Sequence, residues 1–100
     1  MAIYTSRFRN NLLRVHVGDI ESWDGFEEIA KYFEMFFDAI IINKADGVDA
    51  RSWEMKIKQF PITLVHDDLL GNFFYSEDPA GEKLVKDLAE VIKKRIEDQN

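Results

Sequence analysis

The sequence predicts a single α+β domain, residues 1–100, in the order β-α-β-β-β-α, with a mainly antiparallel sheet and two helices packed on one of its faces. Two stretches, Trp23–Phe37 and Leu84–Ile96, repeat apolar residues every three or four positions, the period of a helix with one buried side. The runs outside them are short, alternating or β-branched, and bounded by turn residues, as strands are. One hundred residues without an internal repeat, low-complexity stretch or linker is the length of one ordinary domain.

Leu13, Val15 and Val17 alternate with Arg14 and His16, a period of two that makes a strand. Asn10-Asn11 is a turn signal, so Ile3–Phe8 reads as the first arm of a hairpin. Ser22 is the expected N-cap of the first helix, with Asp24 in the first turn where the helix dipole favours a carboxylate. Trp23, Phe26, Ile29, Ala30, Phe33 and Phe36-Phe37 form its stripe. Ala39-Ile40-Ile41-Ile42 is apolar on both faces and predicts a central strand covered from both sides. Lys44–Asp49 reads as a loop around an Asp-Gly turn. Trp53, Met55 and Ile57 alternate with Glu54, Lys56 and Lys58 in a half-exposed strand that Pro61 bends, starts or places at an edge, after which Ile62–Val65 continues extended. Leu69–Asn72 turns the chain into a last strand, Phe73–Tyr75. Asp78-Pro79 opens the second helix, whose buried stripe is Leu84, Val85, Leu88, Val91, Ile92 and Ile96.

Composition narrows the function. There are no cysteines, so disulfides, thiolate metal sites and cysteine nucleophiles are excluded. The N-terminal residues lack the apolar core of a signal peptide, and no apolar run approaches the ~18 residues of a membrane span, so the expected location is the cytoplasm. The net charge is −6 and the pI about 4.8. That field repels nucleic-acid backbones and favours a basic partner, although solubility alone accounts for such a charge in many proteins.

Catalytic apparatus is not visible. Neither a G-x-S-x-G elbow nor an H-E-x-x-H helix occurs, and there are only two histidines. The expectation is a non-enzyme without catalytic residues, cofactor or metal. Asn43-Lys44-Ala45-Asp46 resembles the guanine-recognition motif of GTPases, in which the Asp binds the base and the Lys packs along it. The phosphate loop G-x-x-x-x-G-K-[ST] that such a site needs is missing, and ordinary turn chemistry accounts for the four residues. His66-Asp67-Asp68 is the one place where a histidine adjoins carboxylates, but strand neighbours point to opposite faces and His16 lies far along the chain. Arg7, Arg9 and Arg14 give the N-terminus the opposite sign and could touch RNA or an acidic protein, but Tyr4 and Phe8 are the only aromatic neighbours and the net charge opposes nucleic acid.

Acidic clustering is the stronger signal. Asp19, Glu21, Asp24, Glu27 and Glu28 fall within ten residues without a Lys or Arg, and Asp67, Asp68, Glu77, Asp78 and Glu82 form a second such stretch. Helix-dipole complementarity explains Asp24, Glu27 and Asp78 on its own; a shared surface would steer a basic partner. The partner-binding candidates are therefore Asp19, Glu21, Asp24, Glu27, Glu28, Asp67 and Asp68. The pairs Phe36-Phe37, Leu69-Leu70 and Phe73-Phe74 add an expectation: if the sheet is open on one side, one member of each strand pair faces outward and marks a homodimer or partner interface.

With its acidic stretch Asp19–Glu28, its compact β-α-β-β-β-α order and its aromatic pairs, the chain resembles in outline small bacterial immunity proteins of contact-dependent growth inhibition systems. The resemblance implies a cytosolic antitoxin-like protein that occupies the surface of a basic toxin domain, commonly a nuclease, by charge and shape complementarity. The alternative expectation is a small interaction or homodimerisation module.

Overall fold

The structure is a computed structural model that describes residues 3–18 and 20–98. It consists of β1 (Ile3–Phe8), β2 (Leu12–Val17), α1 (Trp23–Phe37), β3 (Ile40–Asp46), β4 (Ala50–Ile57), β5 (Phe60–Asp67), β6 (Gly71–Tyr75) and α2 (Glu82–Asp98), the last led in by a 3₁₀ turn at Pro79–Gly81. The six strands form one sheet in the order β1-β2-β6-β5-β4-β3, antiparallel at every pairing. The fold is the predicted α+β class, its strand–helix order extended by the first hairpin arm and by a division of residues 50–67 into two strands.

That division turns on two residues. Lys58 and Gln59 have φ of 50° and 73°, and Ile57 pairs with Phe60, so the chain reverses in a two-residue hairpin. Neither residue is a usual choice for positive φ, and the sequence hides the turn for that reason. Asn10 and Asn11, at 53° and 64°, do carry the expected signal.

Both helices lie on one face. Ser22 caps α1 by accepting a 2.9 Å hydrogen bond from the Gly25 amide, and Asp78 caps the 3₁₀ turn by accepting from Ala80 N at 2.9 Å. Phe26, Ile29, Ala30 and Phe33 of α1 and Leu84, Val85, Leu88 and Ile92 of α2 pack onto Val15, Val17, Met55, Ile57, Ile62, Leu64 and Phe74 of the sheet. Phe33 meets Phe74 edge-on at 5.1 Å between ring centroids.

The strand Ala39–Ile42 is corrected in place and burial. Residues Ile40–Asp46 form the edge strand β3, and Ile40 and Ile42 are 67% and 64% exposed. The helices cover the middle of the sheet and do not reach across it, so apolar composition alone does not bring this strand inside. A register shift between Ile41 and Asn43 interrupts the edge. Lys44–Asp46, expected in a loop, complete the strand, which leaves residues 47–49 as the turn. Pro61 is no edge marker: it sits near the start of β5, an interior strand.

Because Phe74 is fully buried against α1, Phe74→Ala should cost about 3–5 kcal/mol by urea unfolding. A loss below about 1 kcal/mol would mean that this contact does not hold the layers together.

Candidate functional site

Three chain reversals meet at one end of the sheet. Asn72, at the start of β6, donates from Nδ2 to the carbonyls of Ile20 and Ser22 at 2.6 and 3.1 Å, which fixes the entry of α1 beside the β5–β6 turn. The amide of Asp68 in that turn reaches the carbonyl of Asp49 in the β3–β4 turn at 3.3 Å. Gly71 has φ of 76°, and a Cβ there would come within 3.3 Å of the Glu21 side chain. Glu21, Asp24 and Glu27 at the start of α1 therefore share one end of the molecule with Asp67, Asp68 and Asp49, with Glu28 exposed one step further along the helix. Asp19 lies outside the described residues.

These carboxylates differ in how they are employed. Asp67 accepts from the amides of Leu69 and Leu70 at 2.8 and 3.1 Å and shapes the turn. Asp68 lies 3.2 Å from Nε2 of His66, whose Nδ1 lies 2.8 Å from Asn72 Oδ1. The buried His66 ring also meets Trp23 edge-on, so this histidine works as a brace between β5, the turn and α1. His16 cannot join it, because it projects from the other face of the sheet, where it stacks on Tyr4. Among the described residues no ion pair engages Glu21, Asp24, Glu28 or Asp49.

The second acidic stretch is divided. Glu77, Asp78 and Glu82 lie beyond the far end of β6, where Arg9 pairs with Glu77 and Arg7 with Glu82. They do not extend the acidic end, and two of the N-terminal arginines are engaged by them. Arg14 instead lies between the rings of Phe8 and Phe73.

Sequence reasoning missed the cation at the centre of the acidic end. Arg51 is 5% exposed. Its Nε and Nη2 donate to the two Asp46 oxygens at 2.9 and 3.4 Å, and its Nη1 donates to Glu27 at 3.3 Å and to the Trp23 carbonyl at 3.2 Å. The guanidinium lies 4.7–4.9 Å from the ring centres of Trp23, Phe26 and Trp53. Asp46 also accepts from Trp53 Nε1 at 2.8 Å, and Lys44 Nζ sits 4.3 Å from the Trp53 ring centre. The Asn-Lys-x-Asp motif thus spends its Lys and Asp on an internal network. Hydrogen bonds from Arg51 and Trp53 hold the Asp46 carboxyl below its usual pKa. The only available signal was the pairing of Asp46 with Arg51 across an Asp-Gly hairpin.

Among the described residues the other face of the sheet carries no helix. Phe73 and Tyr75 lie there with Leu12, Phe8 and Val65, whereas Phe74 faces the helices. The strand pair Phe73-Phe74 divides between the two sides as expected, but Phe73 is buried in this smaller cluster and forms no exposed aromatic patch; Leu69 and Leu70 lie in a turn, and the arm β1 extends the sheet instead of covering it. No family model matches the chain, and no curated protein or solved structure gives a significant match.

Two pH responses follow. The depressed Asp46 pKa contributes stability that is present above about pH 4, the unfolded value, and lost as pH falls through the lower folded value. Asp46→Asn should destabilise the chain at pH 7, and its deficit against the parent in urea unfolding should shrink towards pH 3; a constant deficit would remove the ion pair as its cause. Burial, and then the neighbouring charge of Arg14, push the His16 pKa down. Protonation of the unfolded state should therefore lower stability as pH drops below about 6.5. His16→Gln should flatten the unfolding free energy between pH 7 and pH 5, and an unaltered slope would assign it to other groups.

Proposed function

We propose that this chain is a cytoplasmic, non-catalytic protein-binding protein of the immunity or antitoxin type, which neutralises a basic partner such as a toxin nuclease domain by occupying its surface. The observation that carries this reading is the meeting of Glu21–Glu28 with Asp67-Asp68 at one end of the fold, joined there by Asp49. Arg51, the cation among them, is buried and already shared between Asp46 and Glu27, which leaves the outward charge negative. A surface of that sign accelerates encounter with a basic protein and needs no cofactor. No helix among the described residues is long and apolar enough to cross a membrane.

Glu21, Glu28 and Asp49 test the reading cleanly, since none supports a cap, a turn or an ion pair among the described residues. Tagged protein should retain a basic protein from its own cells at low salt and release it at high salt. Against that purified protein, Glu21→Gln, Glu28→Gln and Asp49→Asn together should slow association at least about tenfold at low ionic strength. Equal association rates for parent and triple variant would sink the assignment.

A further inference from the structure

Two turns at the acidic end carry aliphatic side chains that the fold does not use. Leu69 and Leu70, between β5 and β6, are 94% and 46% exposed, and Val48, between β3 and β4, is fully exposed. None of the three belongs to either hydrophobic cluster of the described residues. Turn chemistry does not call for them, since loop tips favour Gly, Asn, Asp and Ser. Asp67 makes the β5–β6 turn instead: its Oδ1 accepts from both the Leu69 and the Leu70 amide, and Gly71 supplies the positive φ that closes it. Apolar side chains scattered singly over a surface need no explanation, but three on adjoining turns do.

Both turns are held in place. Gly47 N donates to the Ala50 carbonyl at 2.8 Å across the β3–β4 turn, and Asp68 N donates to the Asp49 carbonyl at 3.3 Å, which ties one turn to the other. Val48 and Leu69 each stand one residue from that second bond, so their Cα atoms are at most about 15 Å apart. That span falls well inside a standard interface of roughly 800 Å² per partner. Carboxylates frame the aliphatic side chains. Glu21 borders Leu70, because its Oε2 lies 3.5 Å from the position of a Cβ on Gly71. Asp49 and Asp68, joined by the bond between the turns, stand between Val48 and Leu69. Arg51, the cation of this end, is buried and engaged by Asp46 and Glu27. Met35, Phe36 and Ile40 are also exposed, but they lie where α1 ends and β3 begins, beside the cations Arg95 and Lys56.

We propose, on the reading of this end as the partner-binding surface, that Leu69, Leu70 and Val48 are its anchors. They enter an apolar cleft of the basic partner, and Glu21, Asp49 and Asp68 meet Lys or Arg side chains at the rim of that cleft. An aliphatic centre with an acidic border has an apolar cleft with a basic border as its complement. Centre and border act at different stages. The carboxylates act at long range, set the association rate and are screened by salt. The aliphatic side chains act once contact has expelled water, so they set how long the complex lasts. Because the turns are fixed beforehand, little ordering cost is set against that burial.

Surface plasmon resonance of the full chain against the basic protein retained at low salt tests the anchors, with circular dichroism to confirm folding. Val48→Ser and Leu69→Ser together should raise the dissociation rate at least about tenfold and leave the association rate within about twofold of the parent. The triple variant Glu21→Gln, Glu28→Gln, Asp49→Asn should act mainly on association. Parent-like dissociation of the Val48→Ser, Leu69→Ser chain, with slow association of the triple variant, would overturn the anchors and leave the acidic reading standing; parent-like rates in both would overturn the two together. A second measurement needs no natural partner: two synthetic peptides of equal positive charge, one of Lys and Leu and one of Lys and Ser, titrated into the ¹⁵N-labelled chain. The Lys–Leu peptide should shift the amides of residues 47–49 and 67–71 and bind at least about tenfold more tightly than the Lys–Ser peptide, and Leu69→Ser should remove most of that difference. Equal affinities, or shifts confined to Met35, Phe36 and Ile40, would overturn the proposal.

Discussion

The contact of Phe33 on α1 with Phe74 on β6 stands at the junction of everything else in this molecule. β6 is the last strand in sequence but third in the sheet, where it joins the N-terminal hairpin to the β3–β5 meander. A helix packed on its centre ties both halves at once, and α2 completes the cover over β2 and β6. Burial of large rings on one side is the main favourable term available to a chain of this length. With only two helices most of it is had on one face; on the other, Leu12, Phe73 and Tyr75 form a smaller buried cluster with Phe8 and Val65, and the edge strand β3 is left largely exposed.

One-sided packing also explains where the polar chemistry sits. Arg51 projects towards the helices beside Trp53, at the point where the cover ends. Its charge is stranded at the margin of the core and needs the Asp46 carboxylate, Glu27 and the Trp23 carbonyl to be accommodated. Asn72 and His66 do the same work on the adjoining strands, by satisfying the loose backbone at the entry of α1. The acidic end is therefore a firm surface: its loops are tied to one another before any partner arrives, which lowers the ordering cost of binding.

The two surfaces have different physical characters. The acidic end offers long-range attraction that salt screens. The helix-free face instead closes its own small cluster, with Arg9 over Tyr75 and Arg14 between Phe8 and Phe73, and contributes burial to the sheet.

Local signals were enough for much of this. Ser22 and the three- and four-residue spacing from Trp23 to Phe37 define α1 to the residue, and the alternation in β2 and β4 assigns their inward faces, because capping and amphipathic burial are read within one element. Charge counts identified the two acidic stretches. Lys58-Gln59 carried no turn signal, so the β4–β5 hairpin was hidden, and Ile40–Ile42 gave the pattern of a covered strand at a place the helices do not reach. Strand order was decided by tertiary structure: it set Arg51 among three rings, separated Glu77–Glu82 from the acidic end, and placed Arg14 between Phe8 and Phe73. Amino-acid pattern determines which way a residue faces within its own element; which residues become neighbours depends on contacts far apart in the chain, whose free energy no single segment carries.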